Sequence, residues 1–329
     1  MIQSGIKSRQ PARIAWPQEQ LFRECAIALG LAIDNSTLKN YSSALNSYLS
    51  FVRIHDFPVE PTPDTLSFYT VFMSHHIEPR SASTYLSGIC QQLEPYFPQV
   101  RAARLSPLIE RTLKGCMRRK SAATKRKHAL TTSDLSTVVN ALSLSTDHNN
   151  LLFQVMLLMG FFALMCLGEL TFLDDANLHN WRKFTKRSTV TMNDDQYSFH
   201  LPSHKADHFF KGNQIIIKKK QCCDLNPLLT FRRYLVSRDT SFPLSLPLWL
   251  MANGAIPMHH FFVSRLHRYF DRDVAGQSMR AGGATSLAKN GVPPSLIQLI
   301  GRWTSDVFFI YIRKSPVLIQ ALLYSGHQT

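Results

Sequence analysis

Toward its C-terminus the chain reads Gln277-Ser278-Met279-Arg280-Ala281-Gly282-Gly283-Ala284-Thr285, then Gly301-Arg302-Trp303-Thr304-Ser305-Asp306, then Tyr311-Ile312-Arg313. Upstream stand Leu164-Met165-Cys166-Leu167-Gly168-Glu169-Leu170 and Ser203-His204-Lys205-Ala206-Asp207. A guanidinium forks two phosphate oxygens and keeps its charge, which suits Arg280 to a phosphate site. A phenol titrates near ~10 in water, so Tyr311 becomes a useful nucleophile only among cations and beside an aligned phosphate. Each residue also has a plain reading. Tyr311 shares a helical spacing with Phe308 and Ile312 as a core aromatic would; Arg280 alone reads as a surface or ion-pairing residue, and Trp303 as a core anchor. Lys205 has Lys211 nearby in the same loop, and either suits a solvated position.

The elements that must carry these residues fall into two groups. From Ser36 a helical period runs through Tyr41, Leu45, Tyr48, Leu49 and Val52, with Ser36 or Thr37 as cap. Pro58, Pro61 and Pro63 punctuate the chain before further helices over 65–75, 81–93 and 107–117, with no strand alternation. This describes a small all-α domain. The chain then divides near residue 125, and Thr131-Thr132-Ser133-Asp134 opens a second domain as a helix start ahead of Leu135, Val138, Val139 and Leu142. The run Leu151–Gly168 is apolar except for Gln154; it sits at the lower length limit for a membrane span, lacks flanking positive charge and is followed by Glu169, so a buried helix is expected. Ser188–Met192 and Gln196–Leu201 alternate around Asn193-Asp194-Asp195 as a β-hairpin, Gln214–Lys218 supplies a third strand, and Lys205 falls between the second and third. Helices are expected again over 259–270, 278–290, 294–300, 305–313 and 316–324.

Composition narrows the partners. Of 329 residues 45% are hydrophobic and 18% charged, enough for sizeable cores, and 37 Lys and Arg against 22 Asp and Glu leave +15. Such a field favours polyanions, nucleic acid or an acidic membrane. Arg111, Lys114, Arg118, Arg119, Lys120, Lys125, Arg126 and Lys127 crowd one stretch without an acidic residue, which reads as a DNA-backbone contact at the domain junction or as a solvated linker doubling as a nuclear-import signal. No amphipathic membrane face accompanies these charges. The cysteines at 25, 90, 116, 166, 222 and 223 form no Cys-x-x-Cys pair, so reduced, intracellular thiols are expected and no metal site. The Arg280-Ala281-Gly282-Gly283 glycines match no phosphate-loop spacing and suit close helix packing, so no nucleotide is expected.

The five motifs, in this order with a hairpin between the first two, resemble the tyrosine recombinase (phage-integrase-like) superfamily, and within it the Crypton-type recombinases of fungal mobile elements. The resemblance implies a mainly α protein: an N-terminal tail (1–18), an all-helical core-binding domain (19–120), a basic linker (121–130) and an α+β catalytic domain (131–329) with a small three-stranded antiparallel sheet. It implies attack of Tyr311 on a DNA phosphodiester, with Arg280 as phosphate clamp, Lys205 as general acid to the leaving oxygen and Trp303 as partner of the phosphate. It also implies duplex DNA as partner, chemistry without metal or cofactor, a DNA-dependent homo-oligomer and a nuclear location. Two positions depart from the pattern. Cys166 stands where the superfamily has its first catalytic Arg, and Gln277 where it has the His of His-x-x-Arg, so binding with impaired cleavage is expected ahead of full recombinase activity.

Overall fold

A computed structural model of the chain describes residues 14–120, 127–205, 207, 210–219 and 225–304. The chain separates into two compact units, Met1–Thr124 and Lys125–Thr329. The expected helices over 305–313 and 316–324, the Cys222-Cys223 pair, Lys125, Arg126 and Tyr311 lie outside the described residues.

In the first unit the described residues form α1 (Gln18–Leu31), α2 (Asn35–Ile54), α3 (Pro63–His76), α4 (Pro79–Leu93), α5 (Val100–Arg104) and α6 (Pro107–Arg119). Prolines open α3, α4 and α6, where their missing N–H is not needed and their fixed φ suits the first turn. The cap of α2 is Asp34 rather than Ser36 or Thr37, and α1, absent from the sequence expectations, has no buried residue and hence no apolar period to announce it. Ala44, Tyr48, Phe51 and Val52 of α2 pack with Leu66 and Tyr69 of α3, Leu86, Ile89 and Leu93 of α4 and Ile109 of α6. The Ser67 and Thr112 hydroxyls share a hydrogen bond of 2.7 Å, which ties α6 to α3. Arg111, Lys114 and Arg118 follow one another on the exposed face of α6, and Arg119 and Lys120 at its end are also exposed.

The second unit is mixed. It contains α7 (Thr132–Ala141), α8 (His148–Phe162), α9 (Leu167–Leu170), strands β1 (Thr191–Met192), β2 (Gln196–Leu201) and β3 (Asn213–Lys218), then α10 (Pro227–Ser241), α11 (His259–Leu266), α12 (Gly276–Lys289) and α13 (Pro294–Gly301). The strands make one antiparallel sheet in the order β1-β2-β3, with Tyr197 opposite Ile217 and Phe199 opposite Ile215 on its buried face. The fold is therefore mainly α with a small three-stranded antiparallel sheet, as the residue pattern implied. A capping box starts α7: the Asp134 N–H donates to Thr131 Oγ1 at 3.2 Å, and the Thr131 N–H to Asp134 Oδ2 at 2.7 Å.

The apolar run is a buried helix, and no described helix is long and apolar enough to cross a membrane. All residues from Leu151 to Phe161 are buried, with the Gln154 amide satisfied by the Leu142 carbonyl at 3.1 Å. The helix stops at Phe162, six residues short of the end of the apolar run, because Leu164 takes a left-handed φ of 51°. The first hairpin strand is also shorter than expected. Arg187–Thr189 forms a 3₁₀ turn, since the Arg187 N–H is drawn to the Leu246 carbonyl at 2.8 Å and its guanidinium to Asp239 at 2.7 Å.

The glycines of α12 carry out the close packing expected of them. A Cβ on Gly282 would stand 2.0 Å from the Leu130 carbonyl oxygen, and one on Gly283 would stand 2.0 Å from that of Phe161. Bare backbone at these two positions lets α12 lie against the segment before α7 and the end of α8, which brings Arg280 to the loop that follows α8.

Candidate functional site

The site is assembled where three chain segments meet within the second unit. Cys166 precedes α9, and its N–H donates to Glu169 Oε2 at 2.9 Å, a bond that closes the turn on itself. Arg280, on α12, reaches this turn with Nη1 donating to Cys166 Sγ at 2.6 Å. Its Nη2 donates to the Gly301 carbonyl at the end of α13, and its guanidinium lies over the Trp303 ring, 4.2 Å from the centroid. Gly301 is what allows this, since a Cβ there would run into the Trp303 ring at 1.8 Å. Cys166, Arg280 and Trp303 are thus brought together by direct contact, although more than a hundred residues separate the first two. Arg280 Nε is buried and has no hydrogen-bond partner among the described residues.

The Cys166 thiol is free, and burial pushes its pKa up, with Glu169 adding and the Arg280 charge opposing. At neutral pH it is a protonated thiol, able to accept weakly from Arg280 but unable to supply charge to a phosphate. Gln277 is exposed in the first turn of α12, three residues before Arg280 and hence on the same face of the helix. It offers an amide donor without acid-base chemistry. Lys205 is exposed in the connection between β2 and β3. The Asp207 carboxylate shapes that connection, accepting the N–H groups of Lys211 at 3.1 Å and Gly212 at 2.7 Å. Of the basic segment, Lys127 donates to the Arg272 carbonyl at 2.6 Å. Among the described residues no group of His, Cys, Asp or Glu is arranged to hold a metal ion.

Arg302 is the residue that sequence reasoning passed over. It ends α13 at a left-handed φ of 58°, and its side chain is 6% exposed. Its Nη1 donates to the Ile300 and Ala163 carbonyls, and its Nη2 to the Leu164 carbonyl at 3.2 Å and to Glu169 Oε2 at 3.0 Å. One buried guanidinium therefore caps the end of α8, neutralises the 7%-exposed Glu169 and fixes the α9 turn against the Trp303 segment. The only signal in the sequence is an Arg between Gly301 and Trp303, with nothing nearby along the chain to point to Glu169.

Removing one member strands the other in a low-dielectric interior. Glu169→Gln or Arg302→Met should each lower unfolding free energy by about 3–5 kcal/mol, whereas the double variant should lose less than the sum. Denaturant unfolding checks this; strictly additive losses would mean the two side chains are not coupled.

Solved structures show what the fold is similar to. No protein-family model matches the sequence, and no curated protein matches it either. The fold is similar to that of the XerH site-specific recombinase bound to a palindromic difH substrate in a post-cleavage complex, with a TM-score of 0.60 over 88% of this chain and 80% of that one, at 12% identity. A Tn1549 transposon integrase in complex with transposon right end DNA gives a TM-score of 0.57 over 93% and 98% of the two chains, at 13% identity. This chain has the tyrosine recombinase fold. A lambda integrase dimer bound to a COC′ core site agrees, with a TM-score of 0.53 over 90% and 94% at 15% identity. At such identities the likeness concerns the recombinase fold, and the chemistry must be argued from the residues this chain carries.

Proposed function

We propose that this chain is a DNA-binding protein of the tyrosine recombinase type whose strand-cleaving chemistry is impaired. The observation that carries the reading is the contact between Arg280 and Cys166: where a second guanidinium would flank the phosphate, Arg280 meets a neutral thiol. A single forked cation still anchors a phosphate, and the exposed basic face of α6 supplies further backbone contacts, which supports binding. Cleavage needs more. Charge building on the scissile phosphate requires preorganised donors on more than one side, and loss of one such donor costs about a hundred- to a thousandfold in rate.

On this reading Arg280 clamps the phosphate, Trp303 packs against the clamp, Lys205 is the group that would protonate the leaving oxygen, and Tyr311 is the residue that would attack. Arg111, Lys114, Arg118, Arg119, Lys120, Lys125, Arg126 and Lys127 contact the duplex backbone. The resemblance to Crypton-type elements makes a mobile-element recombinase the origin, a DNA-dependent homo-oligomer the assembly and the nucleus its place of action. The recombinases similar in fold are recorded bound to DNA, one of them as a dimer, which supports the DNA partner. A second reading, full recombinase activity through a 3′-phosphotyrosyl intermediate, draws on the presence of Lys205, Arg280, Trp303 and Tyr311 in this order along the chain. Covalent trapping on nicked duplex DNA, read beside duplex binding, decides between them.

A further inference from the structure

The segment His179–Arg187 interleaves aromatic and basic residues: Trp181 and Phe184 with Arg182, Lys183, Lys186 and Arg187, and no carboxylate between. It lies outside every motif considered so far. The Trp181 side chain stands 66% exposed at the tip of a turn that Asn180 shapes, its Oδ1 accepting the Arg182 N–H at 3.0 Å and its carbonyl the Lys183 N–H at 2.9 Å. The exposed ring is nonetheless clamped. It packs in T-shaped geometry against Phe172, with centroids 5.4 Å apart and planes at 86°, and against Phe184 at 6.2 Å and 81°.

Both feet of this turn are fixed to the domain. Phe172, 9% exposed, donates its N–H to the Pro257 carbonyl and accepts that of His259, each at 2.9 Å. At the other end the Leu248 N–H donates to the Thr185 carbonyl at 2.8 Å, and Lys186 bridges to Pro247. Phe172 also follows α9 by two residues, so the clamp rests on the same stretch of chain as the Cys166 turn. An exposed tryptophan fixed in this way loses little entropy when it engages a partner, and the exposed Arg182 and Lys186 flank it with positive charge.

We propose that Trp181 is a stacking platform for an unstacked base of bound DNA, with Arg182 and Lys186 holding the adjoining phosphates. The proposal rests on the reading of the chain as a DNA-binding protein. A flat π-face between cations suits a base on its sugar-phosphate backbone, and it has no use for the interior of an intact duplex, where every base is already stacked. The platform therefore favours DNA that is gapped or locally open.

The test compares full-length wild type, Trp181→Ala and Trp181→Phe on an intact duplex and on the same duplex with a short single-stranded gap. For the gapped DNA, Trp181→Ala should weaken binding about ten- to a hundredfold, while Trp181→Phe should stay within about threefold of wild type. For the intact duplex both variants should remain within about twofold, with an unchanged salt slope. Equal losses on both substrates, or no loss on either, would overturn the platform. So would Trp181-dependent binding to phosphatidylserine vesicles without discrimination between the two DNAs. Failure of the wild-type chain to bind any DNA would instead remove the reading on which the platform rests.

Discussion

Neutralising Arg111, Lys114, Arg118, Arg119 and Lys120 together is expected to weaken duplex binding by about a thousandfold at physiological salt and to flatten the dependence of log affinity on log salt by up to about four units. Each phosphate contact contributes ~0.9 to that slope, and all five side chains are exposed on or at the end of α6, so none must first break out of the core. Because Ile109 and Thr112 rather than the cations anchor α6, the helix should survive the substitutions, and thermal unfolding should change little. Binding measured by anisotropy across a salt series reads both quantities. An unchanged slope would return this face to the status of a solvated surface.

Cleavage chemistry should respond in the opposite direction when charge is added. Cys166→Arg places a second guanidinium beside Arg280 and should raise the yield of covalent protein-DNA adduct by about a hundred- to a thousandfold over wild type. Gln277→His, which restores only a proton-exchanging group on the Arg280 face of α12, should recover less, and the double variant most. The added charge comes at a cost to the unliganded protein. It would sit within the field of both Arg280 and Arg302, with Glu169 as the nearby carboxylate already engaged, so the free protein should unfold at lower temperature and regain stability when DNA supplies the missing anion. Tyr311→Phe in the double variant should abolish the adduct while leaving duplex affinity within about twofold, because one hydroxyl adds little to a phosphate-dominated interface.

Much of this fold could be read from residue order because local rules and tertiary packing agree there. The Thr131–Asp134 capping box, the alternation that buries Tyr197, Phe199 and Leu201, and the all-apolar α8 are cases in which one signal dominates. Where the two levels disagree, the sequence misleads. No apolar period marks α10 in the sequence: Arg238, fully buried, interrupts its apolar face, and the structure satisfies that charge with Asp239 and the carbonyls of Phe242, Ser245 and Pro247. The apolar run that suggests a helix to Gly168 ends early, and the freed carbonyls of Ala163 and Leu164 find Arg302, a partner nearly 140 residues away.

The candidate site divides the same way. Arg280 and Trp303 stand out in the sequence through the resemblance of their motifs, and Cys166 and Gln277 as the two departures from that pattern. The buried pair of Arg302 and Glu169 that sets their geometry carries no such signature, since an ion pair across long sequence separation is visible only once both ends are in place. Trp181 is equally silent in the sequence, because its exposed but fixed position depends on T-shaped packing against Phe172 and Phe184.

The proposed activity, a recombinase fold that grips DNA and fails to cut it efficiently, separates binding from cleavage. Its most direct test is wild-type protein incubated with nicked duplexes selected by binding, with salt-dependent association and denaturant-resistant adduct measured on the same samples. The account predicts clear association, with adduct at least about a hundredfold below that of the Cys166→Arg, Gln277→His variant. Abundant Tyr311-dependent adduct from the wild-type chain, or no association with any duplex, would contradict it.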